Sequence, residues 1–169
     1  MSAYQTVVVG TDGSDSSFRA IDRAGQIAAG SNAKVIVATA YLPQSEDQRA
    51  ADALKDDGYM VSGNAPIYAI LRDAADRAKA AGATDVEEKA VVGAPVDAHV
   101  DVVEESGADL LVVGNVGLST IAGRLLGSVP ANVARRAKCD VLIVHTSCPE
   151  AELRATPGRR SAGPGSLFV

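Results

Sequence analysis

At 169 residues with 47% apolar side chains, the chain is long enough for one domain with a real core and too apolar for wholesale disorder. A formal net charge of −5 and an aromatic content of 4% argue against nonspecific binding to nucleic acid or an anionic membrane, and against stacking platforms for single strands. No apolar run approaches the roughly 18–20 residues that span a bilayer, and no basic region precedes the first apolar stretch, so a cytoplasmic protein without a signal peptide is expected.

In chain order, TVVVGT (6–11) is a first strand, nearly continuous in apolar residues, as a strand buried on both faces would be. SSFRAIDRAGQIAAG (16–30) sets Phe18, Ile21, Ala24, Ile27 and Ala28 on or near one helical face and stops at Gly30 and Asn32. KVIVATAY (34–41) is a second buried strand. Residues 42–64 are polar and long for a connection, a length often associated with function or motion. A short helix in SEDQRAADALK is the expectation there. APIYAILRDAADRAKAAG (65–82) carries Pro66 near its start and Gly82 at its end, the asymmetry of a helix.

DVEEKAVVG (85–93) is a weaker strand, polar at its start. APVDAHVDVVEESG (94–107) repeats the proline and glycine arrangement with Pro95 and Gly107. DLLVVGN (109–115) and DVLIVHT (140–146) are two further buried strands, with a helix over 128–138 between them. Strands alternating with helices predict an α/β fold: an open five-stranded parallel sheet with right-handed crossovers and helices on both faces. The fold unit is expected over 1–146. Residues 147–169 mix Pro, Gly, Arg and Ser without periodicity and read as a disordered tail, or as a cloning or read-through extension. Cys139 and Cys148 show no metal-ligand spacing and no disulfide framework, so buried or idle thiols are expected, and no metal site.

In an open parallel sheet, ligands bind beyond the carboxyl ends of the strands, where the strand order reverses. Two segments should meet there. One is VVVGTDGSDSS (7–17). The other is GNVGLSTIAGRLLGS (114–128), where Gly114, Gly117 and Gly127 are followed by Ser128. Gly114 and Gly117 would let backbone approach a sugar or phosphate. Ser128 is a favoured N-cap, and a helix N-terminus attracts phosphate. The spacing is neither a Walker P-loop nor GxGxxG.

The stretch GNVGLSTIAGRLLGSVPANVARRAKCDVLIV resembles the universal stress protein family in its single-domain form, which carries G-x2-G-x9-G-[S/T] before a helix and an edge strand. VVVGTDGSDSS and the order of elements to about residue 146 resemble it too, and the mixture of residues looks most like actinobacterial, mycobacterial members. The resemblance implies a Rossmann-like fold of the adenine nucleotide alpha hydrolase-like kind. It implies a stress-response protein that binds ATP or cyclic AMP as sensor or buffer, with magnesium possible alongside ATP. Carried onto this sequence, Asp12 would approach the adenine or ribose, and Gly10 and Thr11 would line the base pocket. Ala40 would pack on the base. Val113, Gly114 and Gly117 would contact ribose and phosphate, and Gly127, Ser128 and Val129 would hold the phosphates. Asp12 can also cap the following helix, although Asp15 is the better cap by position.

Two departures bear on the ligand. Asn115 and Val116 stand where many relatives carry polar, basic or imidazole side chains. Pro130, in the first helical turn, has no N–H to donate. With Arg124 as the only basic residue in the loop, a ligand of one phosphate charge, such as cyclic AMP, is favoured. Alanine at Gly114 or Gly117 should then weaken binding by intruding on the ligand while leaving the fold intact.

Catalysis has little support, because a hydrolase needs a placed base or nucleophile with an orienting partner. His99 lies within a helical pattern and His145 near the end of the last strand, and both read as structural or solvated. Ser14, Ser16 and Ser17 read as capping and solvating residues. TDGSDS (11–16) faintly resembles the pyrophosphate loop of ATP pyrophosphatases, which leaves an ATP-using enzyme as one alternative and a nucleotide-independent dimeric scaffold as another. An apolar last strand at a sheet edge is a pairing hazard, and the family commonly covers it across a two-fold axis, so a homodimer through 140–146 is expected.

Overall fold

The computed structural model describes residues 4–42, 65–115 and 128–145. The elements are β1 (Thr6–Gly10), α1 (Asp15–Ser31), β2 (Lys34–Tyr41), α2 (Ala65–Ala80), β3 (Asp85–Val92), α3 (Pro95–Ser106), β4 (Leu110–Gly114), α4 (Ser128–Arg136) and β5 (Asp140–Val144). All strand pairs are parallel, in the order β3-β2-β1-β4-β5. The expected fold class is therefore the observed one. Among the described residues no helix is long and apolar enough to cross a membrane.

The central strand shows why the sheet is buried on both sides. Val7, Val8 and Val9 of β1 are each fully buried, although successive side chains point to opposite faces. Val7 and Val9 join Val35, Val37 and Val112 beneath α1 and α2, with Ile21, Ala24, Leu71 and Ala74. Val8 joins Ile36, Leu111 and Val113 on the other face, against α3 and α4, with Val102, Val103 and Val133. Two core layers thus follow from one run of β-branched residues. Such strands fit a pleated surface packed on both sides, and right-handed crossovers put α1 and α2 on one face and α3 and α4 on the other.

The ends of the elements differ from expectation in small, explicable ways. Ser14, not Asp15, is the N-cap of α1: its φ of −77° and ψ of 157° are extended, and its hydroxyl accepts from the Ser17 N–H. Asp15 is the first helical residue, where its charge still meets the helix dipole favourably. The C-cap is Asn32, at φ 53° and ψ 39°, a left-handed position that Asn tolerates. Helix α2 stops at Ala80, short of Gly82, because the Ala83 N–H closes the turn onto the Ala78 carbonyl. Ser16 and Ser17 are buried rather than solvated, since α1 lays its first turn on the sheet. The readings placed on 43–64, on Gly117 and Gly127, on Cys148 and on the tail lie outside the described residues.

Candidate functional site

Strand order reverses between β1 and β4. From β1 the chain steps outward to β2 and β3, then returns to lay β4 on the other side of β1. Their registers, Val7↔Leu110 and Val9↔Val112, bring Gly10 and Val113–Gly114 to neighbouring strand ends. A crevice at that point is where a parallel sheet offers backbone groups to a ligand.

The turn after β1 is tightly held. Thr11 donates its N–H to the Ala38 carbonyl at 2.9 Å, and its own carbonyl accepts from the Thr39 hydroxyl at 2.7 Å. The Thr11 hydroxyl shares a hydrogen bond with the Ser17 hydroxyl at 2.9 Å and accepts from the Gly13 N–H. Thr11 is buried, so its visible work is to anchor the turn to β2 and α1. Asp12 is half-buried, and its Oδ1 accepts from the Ser14 N–H at 3.0 Å and from the Ser14 hydroxyl. It therefore steadies the cap residue rather than capping the helix itself. This arrangement holds a half-buried carboxylate two residues past the carboxyl end of β1, an acceptor for hydroxyls or an amine.

Two glycines form the walls from opposite sides. A Cβ at Gly10 would lie 2.4 Å from His99 Nε2, so the imidazole of α3 presses directly on the β1 backbone. A Cβ at Gly114 would lie 2.5 Å from the Ser16 hydroxyl and 3.0 Å from the Ser16 carbonyl oxygen. The expectation that alanine at Gly114 leaves the fold intact is corrected here, because the added methyl meets α1 of the same chain. Close approach of backbone to its own helix already requires glycine.

The remaining expected site residues fall in three places. Ala40 is half-buried near the end of β2, paired with Val91, and Val113 is buried at the end of β4. Ser128 and Val129 open α4, with Pro130 in its first turn, as the glycine-serine spacing predicted. Gly117 and Gly127 lie outside the described residues. Asn115, read from sequence as a departure facing phosphate, is buried, and its N–H donates to the Val144 carbonyl at 3.0 Å.

His99, which the sequence left as structural or solvated, is a packed residue between α3 and the sheet. It is buried, with the Pro95 and Ala38 carbonyls beside its ring but neither in full hydrogen-bond geometry. Burial drives its pKa below the ordinary histidine value, while the Pro95 and Ala38 carbonyls and the Asp12 charge pull weakly the other way. The available signal was its position on α3: Val96, Val100 and Val103 surround it on the sheet-facing side of the helix. His145 is exposed just after β5. Burial pushes the Cys139 thiol up, in keeping with an idle sulfur. Among the described residues no three His, Cys, Asp or Glu side chains gather as a metal site.

This geometry has close counterparts. The profile of the universal stress protein family matches residues 3–145. A universal stress protein of Mycobacterium tuberculosis is 74% identical over 147 residues, covering 87% of this chain and 100% of that one. A crystal structure of a universal stress protein in complex with cAMP is 72% identical, with a TM-score of 0.68 over 86% of this chain and 100% of that one. A universal stress protein from Lactobacillus plantarum, 20% identical, has the same fold, with a TM-score of 0.69 over 83% of this chain and 97% of that one. With a matching profile over most of its length and relatives this similar, the chain belongs to the universal stress protein family.

Proposed function

We propose that this protein binds an adenine nucleotide, cyclic AMP in preference to ATP, in the crevice between β1 and β4, and acts as a sensor or buffer of it. The observation that carries the reading is the cAMP complex of a protein 72% identical to this chain. Asp12 meets the adenine or ribose, with Gly10, Thr11 and Ala40 around the base. Val113, Gly114 and Gly117 serve the ribose and phosphate. Gly127, Ser128 and Val129 hold the phosphate at the start of α4, where free N–H groups and the helix dipole favour an anion. Pro130 removes one N–H from that turn, which suits one phosphate charge better than three. The function is binding rather than turnover: among the described residues, His99 is buried against the β1 backbone and His145 stands apart after β5.

The folded unit spans 1–146, and the protein acts in the cytoplasm as a homodimer paired along β5. Support for that edge is its sequence. After Asp140, β5 reads VLIV with no charge, whereas the opposite edge, β3, carries Asp85, Glu87, Glu88 and Lys89. Charged side chains discourage pairing of the β3 edge and leave β5 as the one to cover. Light scattering at micromolar concentration should give twice the chain mass, and a monomer would remove this part of the reading.

The deciding experiment is calorimetric titration of nucleotide-stripped protein with cyclic AMP and with Mg-ATP. Tighter cyclic AMP supports the proposal. Tighter ATP overturns the preference, and binding of neither overturns the function.

A further inference from the structure

His99 is hard to justify as packing alone. A buried imidazole held only by the poorly aligned Pro95 and Ala38 carbonyls costs stability that a phenyl or leucyl group of similar size would not. Its ring occupies the space that a side chain at Gly10 would need. Gly10 is the last residue of β1, and Thr11 and Asp12 follow it directly into the crevice. Any change in the ring must therefore pass to those two residues. We propose that His99 is a positioning residue for the nucleotide crevice: its neutral ring props the carboxyl end of β1 at Gly10, and a proton on that ring displaces α3 and lets Thr11 and Asp12 move out of place.

The inference rests on the nucleotide-binding reading above. The imidazolium form is refused by the closed packing and accepted once the ring reaches water, so acid favours the open arrangement. The charged groups around the ring do not offset this. Asp12, from the β1–α1 turn, attracts the proton but keeps its Oδ1 on Ser14. On α4, Arg136 is committed to Asp97 of α3, and Arg135 is exposed. On β2, Lys34 sits at the far end of the strand, paired with Glu87. The remaining acids of α3 lie further along or across the helix: Glu104 and Glu105 pair with Lys138 and Lys89, and Asp101 is exposed.

The test uses the full chain, stripped of nucleotide, with cyclic AMP as the probe. Wild-type affinity should fall by up to about tenfold between about pH 7.5 and about pH 5.5, the most that one linked proton on an ordinary imidazole gives over that span. His99→Gln should bind more weakly than wild type at the higher pH, and both it and His99→Phe should hold their affinity across the range. His145→Gln should keep the wild-type profile, which separates the exposed histidine from the buried one. A second readout needs no ligand: amide exchange at the Thr11 N–H, corrected for its intrinsic pH dependence. Its protection should drop in acid in wild type and stay level in both His99 variants. A flat wild-type profile, a rise in affinity in acid, or the same profile in the His99 variants overturns the proposal. If cyclic AMP fails to bind at any pH, the nucleotide reading falls, and exchange at Thr11 still decides the role of His99.

Discussion

At the amino end of the sheet, Asp109 accepts from the Gln5 N–H at 2.8 Å and the Thr6 N–H at 3.0 Å, and the Tyr4 hydroxyl donates to Asp140. The open cleft there, ≈ 520 Å³ and lined in part by Tyr4, Asp109, Lys138 and Asp140, offers little to a ligand. Its Lys138 is already paired with Glu104, and Asp109 is spent on backbone. At the carboxyl end the opposite holds: two glycines stand where side chains would collide, and a buried imidazole has only poorly aligned carbonyls for partners. One end is satisfied and serves stability. The other keeps an unsatisfied group and backbone contacts that tolerate no added atom, which is the condition of a site that has to respond.

The contrast can be broken most severely at Gly10. Gly10→Ala should cost about 2–3 kcal/mol, the upper part of the overpacking range, because its Cβ meets a ring confined by the core. Adding His99→Ala should recover part of that loss, a coupling that a double-mutant cycle in urea would measure. Additive losses would show that the two residues do not press on each other. Gly114→Ala should cost about 1–2 kcal/mol, less because the Ser16 hydroxyl can rotate away while its carbonyl cannot. Unchanged thermal stability in this variant would mean that the glycine serves the ligand alone.

At the amino end, Asp109→Ala should lower stability by about 1–2 kcal/mol through two orphaned backbone donors, and leave cyclic AMP affinity untouched. A matching loss of affinity would erase the distinction between the ends. The pH dependence of stability sharpens the comparison further. The folded chain holds His99 below its ordinary pKa near 6.5, so the unfolded chain takes up a proton that the folded chain refuses. The contribution is intact above that ordinary value and is lost as pH falls from there toward the depressed folded value. Urea midpoints between about pH 7.5 and about pH 5 should therefore decline more in wild type than in His99→Phe. Tyr4→Phe, at an exposed hydrogen bond, should give the smallest effect, a thermal midpoint indistinguishable from wild type.

The contrast was half legible in the sequence. Strands β1, β2 and β4 announce themselves because burial on both faces leaves no room for alternation, and β3 is fainter because it is an edge that shows charge to water. The point between β1 and β4 where strand order reverses could be placed from the strand–helix order. What could not be read was which atoms each glycine avoids. Gly114 looked like room for a ligand, yet its nearest neighbour is Ser16, 98 positions earlier in the chain. Gly10 and His99 meet only because α3 crosses beneath β1, a contact that no local pattern encodes. The cap stayed undecided between Ser14 and Asp15 for a simpler reason. Asp and Ser are equally good N-caps, and only the reach of the Ser14 hydroxyl to the Ser17 N–H separates them.

The Asp109 clasp on Thr6 has a consequence for synthesis. Its two residues are 103 positions apart, so the strand that ends up deepest in the sheet is made long before its second neighbour. At about 5–20 residues per second, β1 waits about 5–20 s with one side unpaired while the chain emerges. The most protected strand of the finished protein is, for that interval on the ribosome, an open edge.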